Sequence, residues 1–284
     1  MPLIQLKQVQ LEVVHIAAPR AENAAAAGAG AGADHAAGSA HADPAHKAPI
    51  VFLHEGLGSV AMWRSRSGDW PAQVCAATGR AGVVYSRLGY GQSQDIADVR
   101  GANRLPPTYM HHEAWQVLPE LLQALHIEAP VLLGHSDGGT IALLHAARHA
   151  LSACIVMAPH VMVEQVSINA IEAVREAYVH GDLRSKLARF HAHVDTAFWQ
   201  WNDVWLSPEF RSFDIRTECT QIACDVLALQ GQDDAYGTLA QINTIVPSAA
   251  NIMRQVLPHC GHSPHRDQPE AVLQQVVSFL QDKP

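Results

Sequence analysis

Three residues of this chain, a serine, an aspartate and a histidine, have the types and the order needed for nucleophilic chemistry. A serine hydroxyl is a poor nucleophile at neutral pH unless a base takes its proton and a third group holds that base. Ser136 sits in Gly134-His135-Ser136-Asp137-Gly138, between an apolar run, Val131-Leu132-Leu133, and a second one starting at Ile141. A glycine, any residue, a serine, any residue and a glycine between a strand and a helix is the sequence of a nucleophile elbow. Side chains at the flanking positions of so tight a turn would collide, which accounts for Gly134 and Gly138. The turn lifts the serine hydroxyl to the positive end of the helix that begins beneath it.

For the base, the loop Pro258-His259-Cys260-Gly261-His262-Ser263-Pro264-His265 offers three histidines. His262 is preferred because it directly follows a glycine; His259 and His265 are rivals by type. For the acid, Asp234 is preferred over its neighbour Asp233, since adjacent residues after a strand point in different directions. The order serine, acid, histidine is the one that accompanies a strand–turn–helix serine. A tetrahedral oxyanion needs backbone N–H donors. One is expected from Asp137, just after the nucleophile, and the other from Leu57 or Gly56 in the loop after an earlier strand. The Asp137 side chain reads as structural, with no explanation for a negative charge beside a developing anion. His111-His112-Glu113 does not read as a metal site, because adjacent helical side chains do not share a face. Gly89-x-Gly91 lacks the third glycine and the following helix of a dinucleotide fingerprint. No cofactor is expected.

Positioning these residues requires strands that end where they stand. Residues 3–17 alternate in two runs and predict an antiparallel pair. Residues 18–48, mostly Ala and Gly, cannot bury a core and read as a flexible surface insertion. Pro49–His54, Gly82–Ser86, the nucleophile strand, Ala153–Ala158, Cys224–Gln230 and Asn251–Leu257 read as strands. Helices are predicted from Trp63 towards Thr78, near Tyr109–Ala124, after Ser136, over Leu239–Ile245 and over Ala271–Leu280. Strands alternating with helices predict an α/β fold: a mostly parallel, doubly wound sheet with its site off the carboxyl ends of the strands. Between about 160 and 220 the rhythm breaks into helical patterns over Ser167–Tyr178, Leu183–Ala192 and Val194–Trp201. This segment is expected to be a helical cap over the site. Phe198, Trp199, Trp201 and Trp205 cluster in it; cap-to-core packing is the plain account of each, and substrate contact, with His160 added, the functional one. The expected division is a core of residues 1–159 and 221–284 interrupted by a cap of 160–220.

Composition narrows the class. The 284 residues are 48% hydrophobic and 16% charged, which suits a globular chain with much buried structure. A formal charge of −8 argues against a nucleic-acid partner. No apolar run approaches the roughly 18 residues of a membrane span. The first ten residues alternate like a strand, unlike a signal peptide. Five scattered cysteines suggest free thiols in a reducing cytoplasm.

Taken together, His54-Glu55-Gly56-Leu57-Gly58-Ser59, Arg87-Leu88-Gly89-Tyr90-Gly91-Gln92-Ser93, Gly134-His135-Ser136-Asp137-Gly138-Gly139, Gly231-Gln232-Asp233-Asp234 and the stretch Gly261 to Glu270 resemble the capped α/β-hydrolase superfamily. The likeness spans nearly everything outside residues 18–48. It implies a triad of Ser136, Asp234 and His262. In place of the superfamily's His-Gly, this chain has His54-Glu55-Gly56. A serine nucleophile argues against dehalogenase and epoxide-hydrolase members, which use aspartate there. Ser263-Pro264-His265 after the histidine, where ring-cleavage hydrolases usually carry a tryptophan, lowers the odds of carbon–carbon chemistry. The expected function is hydrolysis of a small carboxylic ester, lactone or thioester with an apolar acyl group. The alternatives are carbon–carbon hydrolysis of a ring-cleavage product and a non-catalytic small-molecule binder on the same fold. No oligomeric state is implied.

Overall fold

The structure is a computed structural model and describes residues 2–19, 47–247 and 250–284; most of the expected Ala/Gly insertion lies outside them. Its centre is an eight-stranded sheet in the order β1-β2-β6-β3-β7-β8-β9-β10. The strands are β1 (Leu3–Gln5), β2 (Gln10–Ile16), β3 (Ile50–Leu53), β6 (Gly82–Tyr85), β7 (Val131–His135), β8 (Ala153–Met157), β9 (Val226–Gly231) and β10 (Ile252–Leu257), with β4 (Arg64–Ser65) and β5 (Gly68–Asp69) forming a separate hairpin. The pairs β1–β2 and β2–β6 are antiparallel, and β6 through β10 are parallel.

β3 pairs with β6 on one side and with β7 on the other. The chain therefore builds outward from β3 in one direction and then returns past it to build in the other. The crevice of a doubly wound sheet opens where the order reverses, at the carboxyl ends of such neighbours. The Glu55–Leu57 loop leaves β3 and Ser136 leaves β7, so both arrive at that crevice. All residues of β3, β6, β7, β8 and β9 are buried, as expected of parallel strands covered on both faces. Their side chains alternate between two cores. Ile50, Phe52, Val131, Leu133, Ile155 and Leu227 pack with α1 (Trp70–Thr78) and α11 (Pro269–Leu280). Val51, Leu53, Leu132, Cys154, Val156 and Val226 pack on the opposite face with α3 (Leu118–Ala124) and α4 (Asp137–Ala146).

The helix predicted from Trp63 is interrupted. A short 3-10 turn, Val60–Trp63, is followed by the β4–β5 hairpin, whose Gly68 has φ +109°. The α-helix starts only at Trp70, where the Asp69 carboxylate accepts the Ala72 amide at 3.1 Å and Pro71 pre-sets the first turn. The run Tyr109–Ala124 is one continuous helical path. It comprises α2 (Tyr109–His112), a π-helical stretch Glu113–Val117 and α3. Between β8 and β9 lie α5 (Gln165–Val179), α6 (Leu183–Leu187), α7 (Val194–Trp205) and α8 (Arg216–Cys219). α6 ends earlier than its pattern predicted, and α7 runs on to Trp205. α9 (Ala240–Asn243) is a single turn, shorter than expected, and α10 (Pro264–Asp267) precedes α11.

Candidate active site

At the end of β7 the chain turns through Ser136 with φ +54° and ψ −120°, a conformation that costs a non-glycine residue energy and needs its surroundings to hold it. The Ser136 amide donates to the Met157 carbonyl at 2.9 Å and the Ser136 carbonyl accepts from Thr140 at 3.0 Å. The glycines are required by contact. A Cβ on Gly134 would stand 2.2 Å from the Gly138 carbonyl oxygen, and one on Gly138 would stand 2.1 Å from that of Leu53.

The elbow points the Ser136 hydroxyl at His262, with Oγ and Nε2 2.9 Å apart. His262 Nδ1 lies 2.9 Å from each Asp234 carboxylate oxygen. A carboxylate only accepts, so Nδ1 carries the ring proton and Nε2 is the atom free to accept from the serine. The Asp234 carboxylate also accepts the Tyr236 amide at 2.8 Å and the Gln230 side-chain amide at 2.6 Å. Burial alone would raise its pKa, but the His262 and Tyr236 N–H groups outweigh burial and hold it below the usual aspartate value.

The neighbouring candidates are placed elsewhere. Asp233 is exposed, and its amide donates to the Cys260 carbonyl. His259 is exposed with φ +53°, so this histidine, and not Gly261, supplies the left-handed turn of the loop. His265 is buried against the rings of Trp63 and Trp70. Gly261 serves differently: its amide donates to Asp267 at 2.8 Å, and the Gly261 carbonyl lies 2.1 Å from where a Cβ on Gly231 would be.

A cavity of about 190 Å³ opens over Ser136. Gly56, Leu57 and Asp137 line it, as do His160, Trp201, Trp205 and Tyr236. Among the described residues the amides of Gly56, Leu57 and Asp137 have no protein acceptor. The Glu55 carbonyl accepts Arg87 Nη2 at 3.1 Å and the Gly58 amide at 3.0 Å, which fixes the loop that carries the first two. His191 fastens it from outside: Nε2–H donates to the Leu57 carbonyl and Nδ1 accepts the Gly91 amide, each at 3.0 Å. Trp201 stacks so closely over this loop that a Cβ on Gly56 would meet its Nε1 at 2.2 Å. Phe198 and Trp199 are not in the cavity. Phe198 is fully buried and stacked on Tyr178 at 3.5 Å, and Trp199 lies under the Arg100 guanidinium at 3.8 Å. On an α-helix position 199 faces away from the side shared by 201 and 205, whereas Phe198, one turn before Trp201, is covered by the Tyr178 ring. His160 is fully buried beside Trp205, and burial with the nearby His262 pushes its pKa down to about 3.

Asp137 explains itself through its side chain. The carboxylate turns away from the cavity, accepts the Tyr109 hydroxyl at 2.5 Å and lies 3.9 Å from Arg87. Trp205 Nε1–H donates to the same Tyr109 oxygen at 3.1 Å. Burial raises the Asp137 pKa against the pull of Arg87 and the Tyr109 hydroxyl, which meet its charge on the side away from Ser136.

Sequence reasoning missed three supporting groups. His135 Nε2–H donates to the His262 carbonyl at 2.7 Å, tying the elbow to the histidine loop. Glu55 reaches Arg266 at 3.1 Å; burial would raise its pKa, but the His135 ring and Arg266 hold it well below the usual value. The Tyr236 ring packs 4.6 Å from that of His262. The acidic residue standing between His54 and Gly56 was the visible signal for one of them; the other two bond or pack across loops far apart in sequence.

Residues 50–275 match the profile described as the Alpha/beta hydrolase family. A proline iminopeptidase from Levilactobacillus brevis is 23% identical over 277 residues, covering 82% of this chain and 88% of its own. The crystal structure of the enol-lactonase from Burkholderia xenovorans LB400 is similar at a TM-score of 0.63 and 16% identity, covering 99% of this chain and 100% of that one. An esterase from Exiguobacterium antarcticum reaches a TM-score of 0.68 at 18% identity, with 99% of both chains covered. The order of the strands, the strained serine after β7 and the match over most of the chain lead to one conclusion: this chain belongs to the alpha/beta hydrolase family.

Proposed function

We propose that the chain is a serine hydrolase of small carboxylic esters, lactones or thioesters. The observation that carries this reading is the unbroken line of hydrogen bonds from Ser136 Oγ through His262 to Asp234, each 2.9 Å, at the floor of a cavity walled by Trp201 and Trp205. Ser136 Oγ attacks the carbonyl carbon while its proton passes to His262 Nε2. The oxyanion takes hydrogen bonds from the Asp137 amide and from Leu57 or Gly56. His262 then gives its proton to the departing alkoxide, thiolate or, in a lactone, the ring oxygen. Water attacks the acyl-enzyme with His262 again as base, and the carboxylic acid leaves Ser136 free. Asp234 remains ionised and fixes the ring.

Residues 160–220 act as a cap in this reading, since α5 and α7 supply Ile171, Val174, Trp201 and Trp205 to the cavity. Below the ~300 Å³ at which ligand pockets usually begin, the cavity favours a short apolar acyl group. Among the described residues no helix is long and apolar enough to cross a membrane, and a cytoplasmic site of action is part of the proposal.

The test is a p-nitrophenyl ester series from acetate to octanoate, with wild type and Ser136→Ala side by side. Acetate and butyrate should be the better substrates, and kcat should fall by ~10³-fold or more in the variant. Equal background rates in both proteins would refute ester hydrolysis.

A further inference from the structure

A second cavity is larger than the one over Ser136. It encloses about 480 Å³ and lies behind Tyr109. The loop after β6, the Leu105–Thr108 approach and the π-helical turn Glu113–Val117 form its walls. A π-helical turn widens a helix locally and often accompanies a site. Leu88, Leu105, Trp115 and Val117 give it an apolar surface, and its volume falls within the ~300–1,000 Å³ of small-molecule sites. Tyr109 and Arg87 line it, while their direct partner Asp137 lines the Ser136 cavity, so the two spaces share a wall.

The polar groups define what would fit. Gln200, only 2% exposed, lines the cavity, and its Nε2 has no hydrogen-bond partner among the described residues. A buried amide donor without an acceptor costs on the order of 1–3 kcal/mol, so an acceptor brought by a ligand would recover that loss. The charged side chains Arg87 and Glu113 already have partners. Arg87 donates to the His54 and Glu55 carbonyls and faces Asp137, and Glu113 accepts the Tyr85 hydroxyl at 2.8 Å. An ionic guest would bring a charge that neither Arg87 nor Glu113 is left to meet.

We propose that this cavity is a second binding site, separate from the Ser136 cavity, for a neutral and mainly apolar small molecule carrying a carbonyl group. The carbonyl accepts from Gln200 and the apolar body lies between Leu105 and Trp115. The site does not depend on the proposed ester hydrolysis.

The probe is 6-propionyl-2-(dimethylamino)naphthalene, a neutral fluorescent ketone whose emission shifts to the blue in apolar surroundings. It would be titrated into the full chain before and after Ser136 is blocked with a fluorophosphonate, with mass spectrometry reporting the block. Saturable binding unchanged within two-fold by the block is expected. Leu105→Trp, which fills the cavity from its partly exposed rim, should weaken binding at least ten-fold, and Gln200→Met at least three-fold. Ile96→Trp, from another wall, repeats the filling test should Leu105→Trp lose its circular-dichroism signal. Loss of binding on blocking Ser136 would place the probe in the other cavity and overturn the proposal. So would absence of saturation, or affinity unmoved by both filling variants. Affinity unmoved by Gln200→Met would overturn the carbonyl recognition. Failure of Ser136 to react with the phosphonate would count against the hydrolase reading and leave the titration of unblocked protein and its variants to judge this one.

Discussion

Two residues around the serine illustrate how little freedom the site has. Asp234 is buried and holds the His262 ring by its Nδ1 proton. Asp234→Asn keeps the size but presents an amide that can donate, which lets the ring adopt the other tautomer and leaves Nε2 protonated towards Ser136. A fall in kcat of about 10⁴-fold is expected for ester hydrolysis, with thermal stability little changed; a loss below ten-fold would argue that His262 does not need its partner. Gly134 is constrained by shape. Gly134→Ala places a methyl 2.2 Å from the Gly138 carbonyl oxygen, backbone that cannot rotate aside. Such overpacking should cost about 1–3 kcal/mol or more, read as a lower urea midpoint.

At the scale of elements, the site is assembled from loops that separate strands deliver and side chains then lock. His191 precedes α7 and bridges the loop after β3 to the loop after β6, through Leu57 and Gly91. Burial keeps its pKa below the ordinary histidine value, which suits a neutral ring that donates at one nitrogen and accepts at the other. His191→Leu retains bulk and loses both bonds. If the Leu57 amide helps hold the oxyanion, kcat should drop on the order of ten-fold with a smaller change in KM. An unchanged kcat would point to Gly56, or to a loop that holds itself.

At the scale of the whole molecule, several histidines are folded into the interior uncharged. Burial lowers His54 and His265 well below the usual value, His145 to about 4 and His160 to about 3. In the unfolded chain each binds a proton near pH 6.5. The unfolded state therefore holds more protons below that pH, and stability rises with pH through this range. It should be full above about pH 7 and decline steadily as pH falls towards 5, seen as a lower melting temperature. The carboxylates with depressed values, Glu55 and Asp234, act in the same direction but only below about pH 4.5. A melting temperature level between pH 7.5 and 5 would contradict neutral burial of these rings.

Much of this protein was legible in the chain because the deciding forces are local. Short apolar runs between polar loops made strands, and the tightness of the elbow demanded Gly134 and Gly138. Alternation of strand and helix dictated a doubly wound sheet, and the order of Ser136, Asp234 and His262 put the three at strand ends. The helix start at Trp70 escaped because a hairpin of two-residue strands leaves no periodicity to read. Which tryptophans face the site also escaped, since an aromatic cluster on one helix has the same composition whether it packs inward or lines a cavity. Only the tertiary structure separated Trp201 and Trp205 from Phe198 and Trp199, turned Asp137 towards Tyr109, and brought His135 to the His262 carbonyl. Those are contacts between segments far apart in sequence, and their geometry follows from how strands and helices pack, which no single stretch of residues encodes.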